Sequence, residues 1–216
     1  MTTVYLVRHA EAMGNVQNFF QGRTDCDITT NGGRQLEYLS ERFKNIRYDV
    51  IYSSPLLRTM KTADAVNTYM QLPIIQDEGL MELDGGAFEG RTWDEIPQLY
   101  PYEYDLWKNH MPDFKAENSE SMHEIYDRII KAVEKIVEEN KGKIIVIVSH
   151  GCAIKNFLAY ANGMGIDGIT KLGWSDNTAV SKLIFDDDMN IMVEFQNDSS
   201  HLPEEYSTLN LQKWWR

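Results

Sequence analysis

The sequence is short of cationic residues. It has 21 Lys and Arg against 33 Asp and Glu, which gives a formal net charge of −12 at pH 7. A surface of this charge repels nucleic acids and anionic lipid headgroups, so we expect neither as a partner. It also repels phosphorylated metabolites at long range, so an anionic substrate would need a locally basic pocket.

Cysteines, long apolar runs and metal motifs are also scarce. The two cysteines, Cys26 and Cys152, form neither a disulfide framework nor a metal-ligand spacing. The longest apolar run, Ile144–Val148, is too short to cross a bilayer, and the first residues lack the features of a signal peptide. We therefore expect a cytoplasmic protein. No His-Glu-x-x-His motif occurs, and the acidic run Asp186–Asp188 is more simply a solvated turn, so no metal site is expected.

Strand-like and helical patterns alternate along the 216 residues. This alternation predicts an α/β three-layer sandwich with a mostly parallel central sheet, formed as a single domain over residues 1–216. The aromatic-rich stretch from about 84 to 119 is too long for a plain connection and predicts a helical lid insertion over the sheet. The tail with Trp214 and Trp215 would dock on the body or on a second subunit, so a homodimer is one option. We expect strands at 3–7, 49–52, 72–75 and 143–148, and a hairpin at 179–185 and 191–196. We expect helices at 31–44, from Pro55 to Met70, from Ser121 with its capping-box partner Glu124, and at 153–161.

Polar side chains follow three of the predicted strands at the point where each strand ends. Arg8 and His9 end the first strand, Ser53 and Ser54 the second, and His150 the strand at 143–148. Because the carboxyl ends of parallel strands meet at one edge of a sheet, we expect these side chains to lie together. Arginine suits a phosphoryl group, because its planar fork binds two oxygens and stays charged at any working pH.

The residue types at this edge suggest roles in phosphoryl transfer. A single histidine at a strand end is more often structural, but two such ends in one chain favour an active site. Neutral His9 can accept a phosphoryl group as a nucleophile, and His150 can donate a hydrogen bond to the transferring oxygens. Glu82 is the candidate acid for the leaving oxygen, with Glu11 and Asp84 as weaker alternatives.

Four motifs resemble the histidine phosphatase superfamily, the phosphoglycerate-mutase-like group. They are Arg8-His9-Ala10-Glu11, the stretch Ser-Ser-Pro-Leu-Leu-Arg at 53–58, Glu82 ahead of Gly-Ala-Phe-Glu-Gly at 86–90, and Ser149-His150-Gly151. The resemblance implies a phosphohistidine at His9, with Glu82 as proton donor and no metal or organic cofactor. It further implies a phosphate pocket and substrate contacts formed by Arg8, Asn15, Gln21, Gly22, Arg58, His150 and Gly151.

The family divides into phosphatases and cofactor-dependent mutases, and the sequence is more similar to the phosphatases. Gly85 and Trp93 stand where the mutases carry a tyrosine and a lysine, and the stretch 113–120 is acidic where they carry arginines. We therefore expect hydrolysis of a small phosphorylated metabolite. A phosphoglycerate mutase and a non-catalytic sensor of phosphorylated ligands remain the alternatives. The aromatic residues of the insertion would either clamp the substrate or pack the insertion onto the sheet.

Overall fold

The fold is built on one six-stranded sheet. The computed structural model of the protein describes residues 1–209. The strands are β1 Thr2–Arg8, β2 Val50–Ser53, β3 Ile74–Gln76, β4 Ile144–Ser149, β5 Val180–Phe185 and β6 Ile191–Asp198. They run in the order β3-β2-β4-β1-β5-β6. Pairs β1–β4, β2–β4 and β2–β3 are parallel, whereas β1–β5 and β5–β6 are antiparallel, which confirms the predicted mostly parallel α/β class.

Helices cover both faces of the sheet and form two separate cores. Alternate residues of β1 and β4 point to opposite faces, so Leu6 and Ile147 join one core while Val7 and Val148 join the other. The helices are α1 Met13–Val16, α2 Thr30–Phe43, α3 Leu57–Val66, α4 Ile96–Leu99, α5 Pro101–Asn109, α6 Met122–Glu139 and α7 Gly151–Ala161. Helices α6 and α7 pack on the first face, and α2 and α3 on the second.

The predictions for β3 and α3 were partly wrong. Leu72 was expected in a strand, but both its backbone groups bond to the side chain of Asn67, so β3 begins only at Ile74. Helix α3 begins at Leu57 rather than at Pro55, and the Leu57 N–H is capped by a carboxylate oxygen of Asp25 at 2.8 Å. It ends at Val66 instead of continuing to residue 70.

The insertion at 84–119 is helical, but its helices are short. It contains α4, α5 and two 3-10 turns, Gly86–Phe88 and Met111–Asp113. Phe88 and Phe114 are fully buried in the core shared with α6 and α7. No helix within residues 1–209 is long and apolar enough to span a membrane. The predicted docking of Trp214 and Trp215 falls outside the described residues.

Candidate active site

Three strand ends converge at the carboxyl edge of the sheet, as predicted. Arg8 pairs with Ser149 across β1 and β4, and Ser53 pairs with Val148 across β2 and β4. His9 and His150 follow these strands directly, and their ring centroids lie 5.2 Å apart. The register of the parallel strands therefore sets both imidazoles side by side.

His9 is held in one tautomer by the backbone carbonyl of the next residue, Ala10. Its Nδ1 lies 2.7 Å from the carbonyl oxygen of Ala10, which can only accept a hydrogen bond. In the neutral ring Nδ1 therefore carries the proton, and Nε2 keeps its lone pair. Burial, followed by the charges of Arg58 and Arg8, lowers the pKa of His9 well below its usual 6.5. The ring is therefore neutral at physiological pH and keeps the lone pair that a nucleophile requires.

The two arginines are buried and are fixed by backbone carbonyls. Arg58 donates from Nη2 to the oxygen of Gly22 at 2.7 Å and from Nη1 to that of Thr24 at 2.9 Å. Arg8 donates to the carbonyl oxygen of Ser175. Burial lowers the pKa of Arg8 to about 10, against the opposing charges of Asp176 and Glu82, so the guanidinium stays charged at neutral pH. Both cations line a pocket of ≈ 520 Å³ at the sheet edge, together with His9.

His150 is oriented by Ser54. Its Nε2 lies 2.7 Å from Ser54 Oγ, and Nδ1 is buried without a hydrogen-bond partner within residues 1–209. A hydroxyl that donates to Nε2 leaves the proton of the neutral ring on Nδ1. Burial is the main cause that lowers the pKa of His150 well below 6.5, and the charge of Arg58 adds to it. In that tautomer Nδ1–H is left to donate, as the predicted contact with phosphoryl oxygens requires, whereas His150 is not among the residues that line the pocket.

Glu82 lies in a loop, and its carboxyl group contacts the start of helix α7 at the pocket. Its Oε2 accepts the N–H of Cys152 at 3.1 Å, and Oε1 accepts the N–H groups of Ala153 at 3.0 Å and Leu83 at 2.9 Å. Three backbone donors fix the carboxyl group in one orientation. Its side chain lines the same pocket as His9, where a leaving oxygen would stand.

The two weaker acid candidates are engaged elsewhere. Glu11 is buried, and its carboxylate accepts hydrogen bonds from Thr29 and Asn31. Asp84 caps a 3-10 turn and forms an ion pair with Arg23 at 3.5 Å. Among the described residues that line the pocket, Glu82 is the carboxylate beside His9.

The remaining predicted contact residues also line the pocket, namely Asn15, Gln21, Gly22 and Gly151. The Oδ1 of Asn15 accepts the N–H of Ala12 at 2.9 Å, so its amide N–H groups are the donors left for a ligand. Gly151 gives room to the Arg8 side chain, since a Cβ at this position would lie 3.3 Å from Arg8 Nε.

The aromatic residues of the insertion have two different roles. Trp93 and Trp107 line the pocket, whereas Phe88 and Phe114 are core residues. The interpretation as packing residues therefore holds for Phe88 and Phe114, and the clamping of a substrate by Trp93 and Trp107 stays a prediction. Further aromatic side chains line the pocket from loops without periodic patterning, so no signal in the sequence predicted them: Phe19, Phe20 and Trp174.

A polar cluster behind the strand ends was also missed. The Nδ2 of Asn177 donates to the carbonyl oxygen of His9 at 3.0 Å, and its Oδ1 accepts the hydroxyl of Thr208 at 2.6 Å. Asp176 accepts the backbone N–H of Thr208 at 3.0 Å and supplies negative charge near Arg8. No motif marks these residues in the sequence, because they act through backbone contacts made only in the fold. Within residues 1–209 no group of three His, Cys, Asp or Glu side chains is placed to hold a metal ion.

Comparison with known proteins identifies the family. The family model described as histidine phosphatase superfamily (branch 1) matches residues 4–198. The chain belongs to the histidine phosphatase superfamily. This confirms the prediction made from the four motifs.

Relatives in this superfamily are named as phosphatases and as mutases. Phosphoserine phosphatase 1 of Hydrogenobacter thermophilus is 29% identical, over 95% of this chain and 97% of that protein. Probable phosphoglycerate mutase GpmB of Salmonella choleraesuis is 30% identical, over 94% of this chain and 95% of that protein. The solved structure of phosphoserine phosphatase mutant H9A from Entamoeba histolytica, in complex with phosphoserine, superimposes with a TM-score of 0.83. That structure is 26% identical and covers 94% of this chain and 100% of its own.

Proposed function

We propose that the protein is a metal-independent phosphomonoesterase that transfers the phosphoryl group of a small metabolite to His9 and then to water. The observation that carries this proposal is the contact between His9 Nδ1 and the Ala10 carbonyl oxygen, which leaves the Nε2 lone pair available. Buried Arg8 and Arg58 line the same pocket and can neutralise the charge of a phosphoryl group there.

The proposed reaction has two displacements at phosphorus. In the first, Nε2 of His9 forms the P–N bond while the P–O bond of the ester breaks, and Glu82 gives its proton to the leaving oxygen. In the second, Glu82 takes a proton from water, which attacks phosphorus and breaks the P–N bond. Arg8, Arg58 and His150 hold the non-bridging oxygens throughout.

The composition of the pocket favours hydrolysis over the mutase alternative. A mutase must bind a bisphosphate, which calls for cations beyond those that hold a single phosphoryl group. The cations among the described lining residues are Arg8 and Arg58. Trp93, which also lines the pocket, looks like the position at which the mutases carry a lysine. The phosphoserine phosphatase names of two relatives support phosphoserine as one candidate substrate.

Turnover of p-nitrophenyl phosphate in the presence of a chelator tests the proposal. We expect hydrolysis by the native chain and its loss in His9→Ala; equal rates would overturn the histidine mechanism. Binding of phosphorylated ligands without any turnover would support the sensor alternative. A second assay uses 3-phosphoglycerate with and without its bisphosphate. Release of inorganic phosphate supports the phosphatase, and bisphosphate-dependent isomerisation supports the mutase.

We also infer that the protein acts in the cytoplasm, which suits two cysteines that are both free thiols. The homodimer stays a prediction, and light scattering of the purified chain tests it.

A further inference from the structure

A second cavity of ≈ 560 Å³ adjoins the proposed active-site pocket. Trp107 and Trp174 line both cavities, so the two spaces meet at these indoles. The other residues that line the second cavity are polar or cationic except for Met111, namely Lys108, Asn109, Met111, Lys155 and Thr170. In a chain of net charge −12, two lysines at one cavity form a local exception.

Lys155 lies in helix α7, whose first residue, Gly151, also lines the active-site pocket. It lies four residues after Gly151 in α7, so both residues are on the same face of the helix, about 6 Å apart along its axis. Gly151 lines the active-site pocket beside the Arg8 guanidinium. Lys155 therefore places a cation one helical turn from the phosphoryl position, at a separation that a three- or four-carbon substrate can span.

The Lys155 side chain is buried, and its ammonium has no anionic partner among residues 1–209. The residue is 7% exposed, yet no carboxylate within the described chain forms an ion pair with it, and its Nζ donates no hydrogen bond there. The Nζ of Lys155 lies over the Trp174 ring, 4.3 Å from the ring centroid. Burial lowers the pKa of Lys155 to about 8. An unpaired ammonium is costly to bury, and an anion bound in the cavity would offset this cost.

We propose that the second cavity is a subsite for a carboxylate carried by the alcohol part of the substrate, and that Lys155 is the residue that binds it. This inference rests on the proposed phosphatase function and specifies its substrate class. Trp107 and Trp174 would enclose the carbon chain between the two anionic ends. Lys155 thus sets specificity and takes no part in the bond-making steps.

Paired substrates and a charge-matched control test this subsite. 3-Phosphoglycerate and glycerol 3-phosphate differ only in a carboxylate against a hydroxymethyl group. We expect Lys155→Met to lower the ratio of kcat/KM for the first substrate over the second by about 10- to 100-fold, mainly through KM. Lys135→Met removes the same charge from the exposed face of α6 and should keep the ratio of the native enzyme. An unchanged ratio in Lys155→Met would mean that the lysine is structural and would overturn the proposal.

A crystal structure tests the same point without relying on a Lys155 variant that folds. In the His9→Ala protein bound to 3-phosphoglycerate, we expect the carboxylate within ion-pair distance of Lys155 Nζ. A carboxylate bound elsewhere would overturn the subsite. These failures are distinct from a failure of the proposed function, in which the native chain would hydrolyse neither substrate nor p-nitrophenyl phosphate.

Discussion

The imidazoles of His9 and His150 lie with their centroids 5.2 Å apart, and both are buried among cations. Burial first, and then the neighbouring charge of Arg58, holds the pKa of each ring well below 6.5. The folded protein therefore keeps two neutral imidazoles at a pH at which the unfolded chain would protonate them.

This relationship predicts how stability depends on pH. Because the pKa of each histidine is lowered in the folded state, its contribution to the free energy of unfolding is fully present above about pH 6.5. This contribution is lost as the pH falls below that value, because the unfolded state then binds protons that the folded state does not. The limiting slope is about 1.4 kcal/mol per pH unit for each histidine. His201, whose pKa burial lowers to about 4, should contribute in the same direction. Urea unfolding at several pH values between about 7 and 5 measures the effect.

The variant His150→Asn removes one of these groups. Its free energy of unfolding should therefore fall less steeply with decreasing pH than that of the native chain. Parallel slopes in the two proteins would contradict the burial of a neutral His150.

Glu82→Gln tests the proton donor. The substitution keeps the shape of the side chain but removes the proton that the leaving oxygen receives. We expect kcat for alkyl phosphates to fall by about 10²–10⁴-fold, with a smaller loss for p-nitrophenyl phosphate, whose leaving group needs no proton. Steady-state kinetics on both substrates measures the difference. Equal losses would argue against Glu82 as the acid.

Ser54→Ala tests the orientation of His150. Without the hydroxyl 2.7 Å from Nε2, the ring is free to carry its proton on Nε2 and to lose the donor at Nδ1. We expect kcat to fall roughly 3- to 10-fold with little change in KM, which is the value of one hydrogen bond. Ser53→Ala is the matched control, because the hydroxyl of this buried neighbour bonds only to the Ser54 carbonyl within the described residues. Equal losses of kcat in Ser54→Ala and Ser53→Ala would mean that the contact between Ser54 and His150 is not the cause of the loss.

Arg58→Lys tests the need for a planar fork. Two nitrogens of Arg58 bind the carbonyl oxygens of Gly22 and Thr24, and a lysine ammonium cannot reproduce this geometry while also facing a phosphoryl group. We expect kcat/KM to fall by about 10- to 100-fold. Arg34→Lys, at an exposed ion pair with Glu37, should keep native activity. If Arg58→Lys kept the native kcat/KM, a positive charge alone would be enough at this position, and the planar fork would not be needed.

Elements whose signal is local were predictable from the sequence. The capping box of Ser121 and Glu124 forms both of its hydrogen bonds, because its partners are three residues apart. The polar strand ends Arg8, His9 and His150 also met as expected, because the register of parallel strands fixes where they end.

What escaped prediction depends on contacts between distant parts of the chain. Helix α3 is capped by Asp25, which is 32 residues before Leu57, so the local signal of Pro55 placed its start wrongly. Trp174 and Asn177 lie in a loop without periodicity, and only the fold brings them to the pocket and to the His9 backbone. The Ala10 carbonyl that selects the reactive nitrogen of His9 is a backbone group, which no side-chain motif reveals.

The most direct test of the account is to trap the covalent intermediate. The native chain is mixed with a ³²P-labelled substrate, quenched in alkali within milliseconds and digested for analysis of the labelled peptide. We predict an alkali-stable, acid-labile phosphoryl group on Nε2 of His9, and none in His9→Ala. Label on Nδ1 or on another residue, or turnover without any trapped label, would contradict the proposed mechanism.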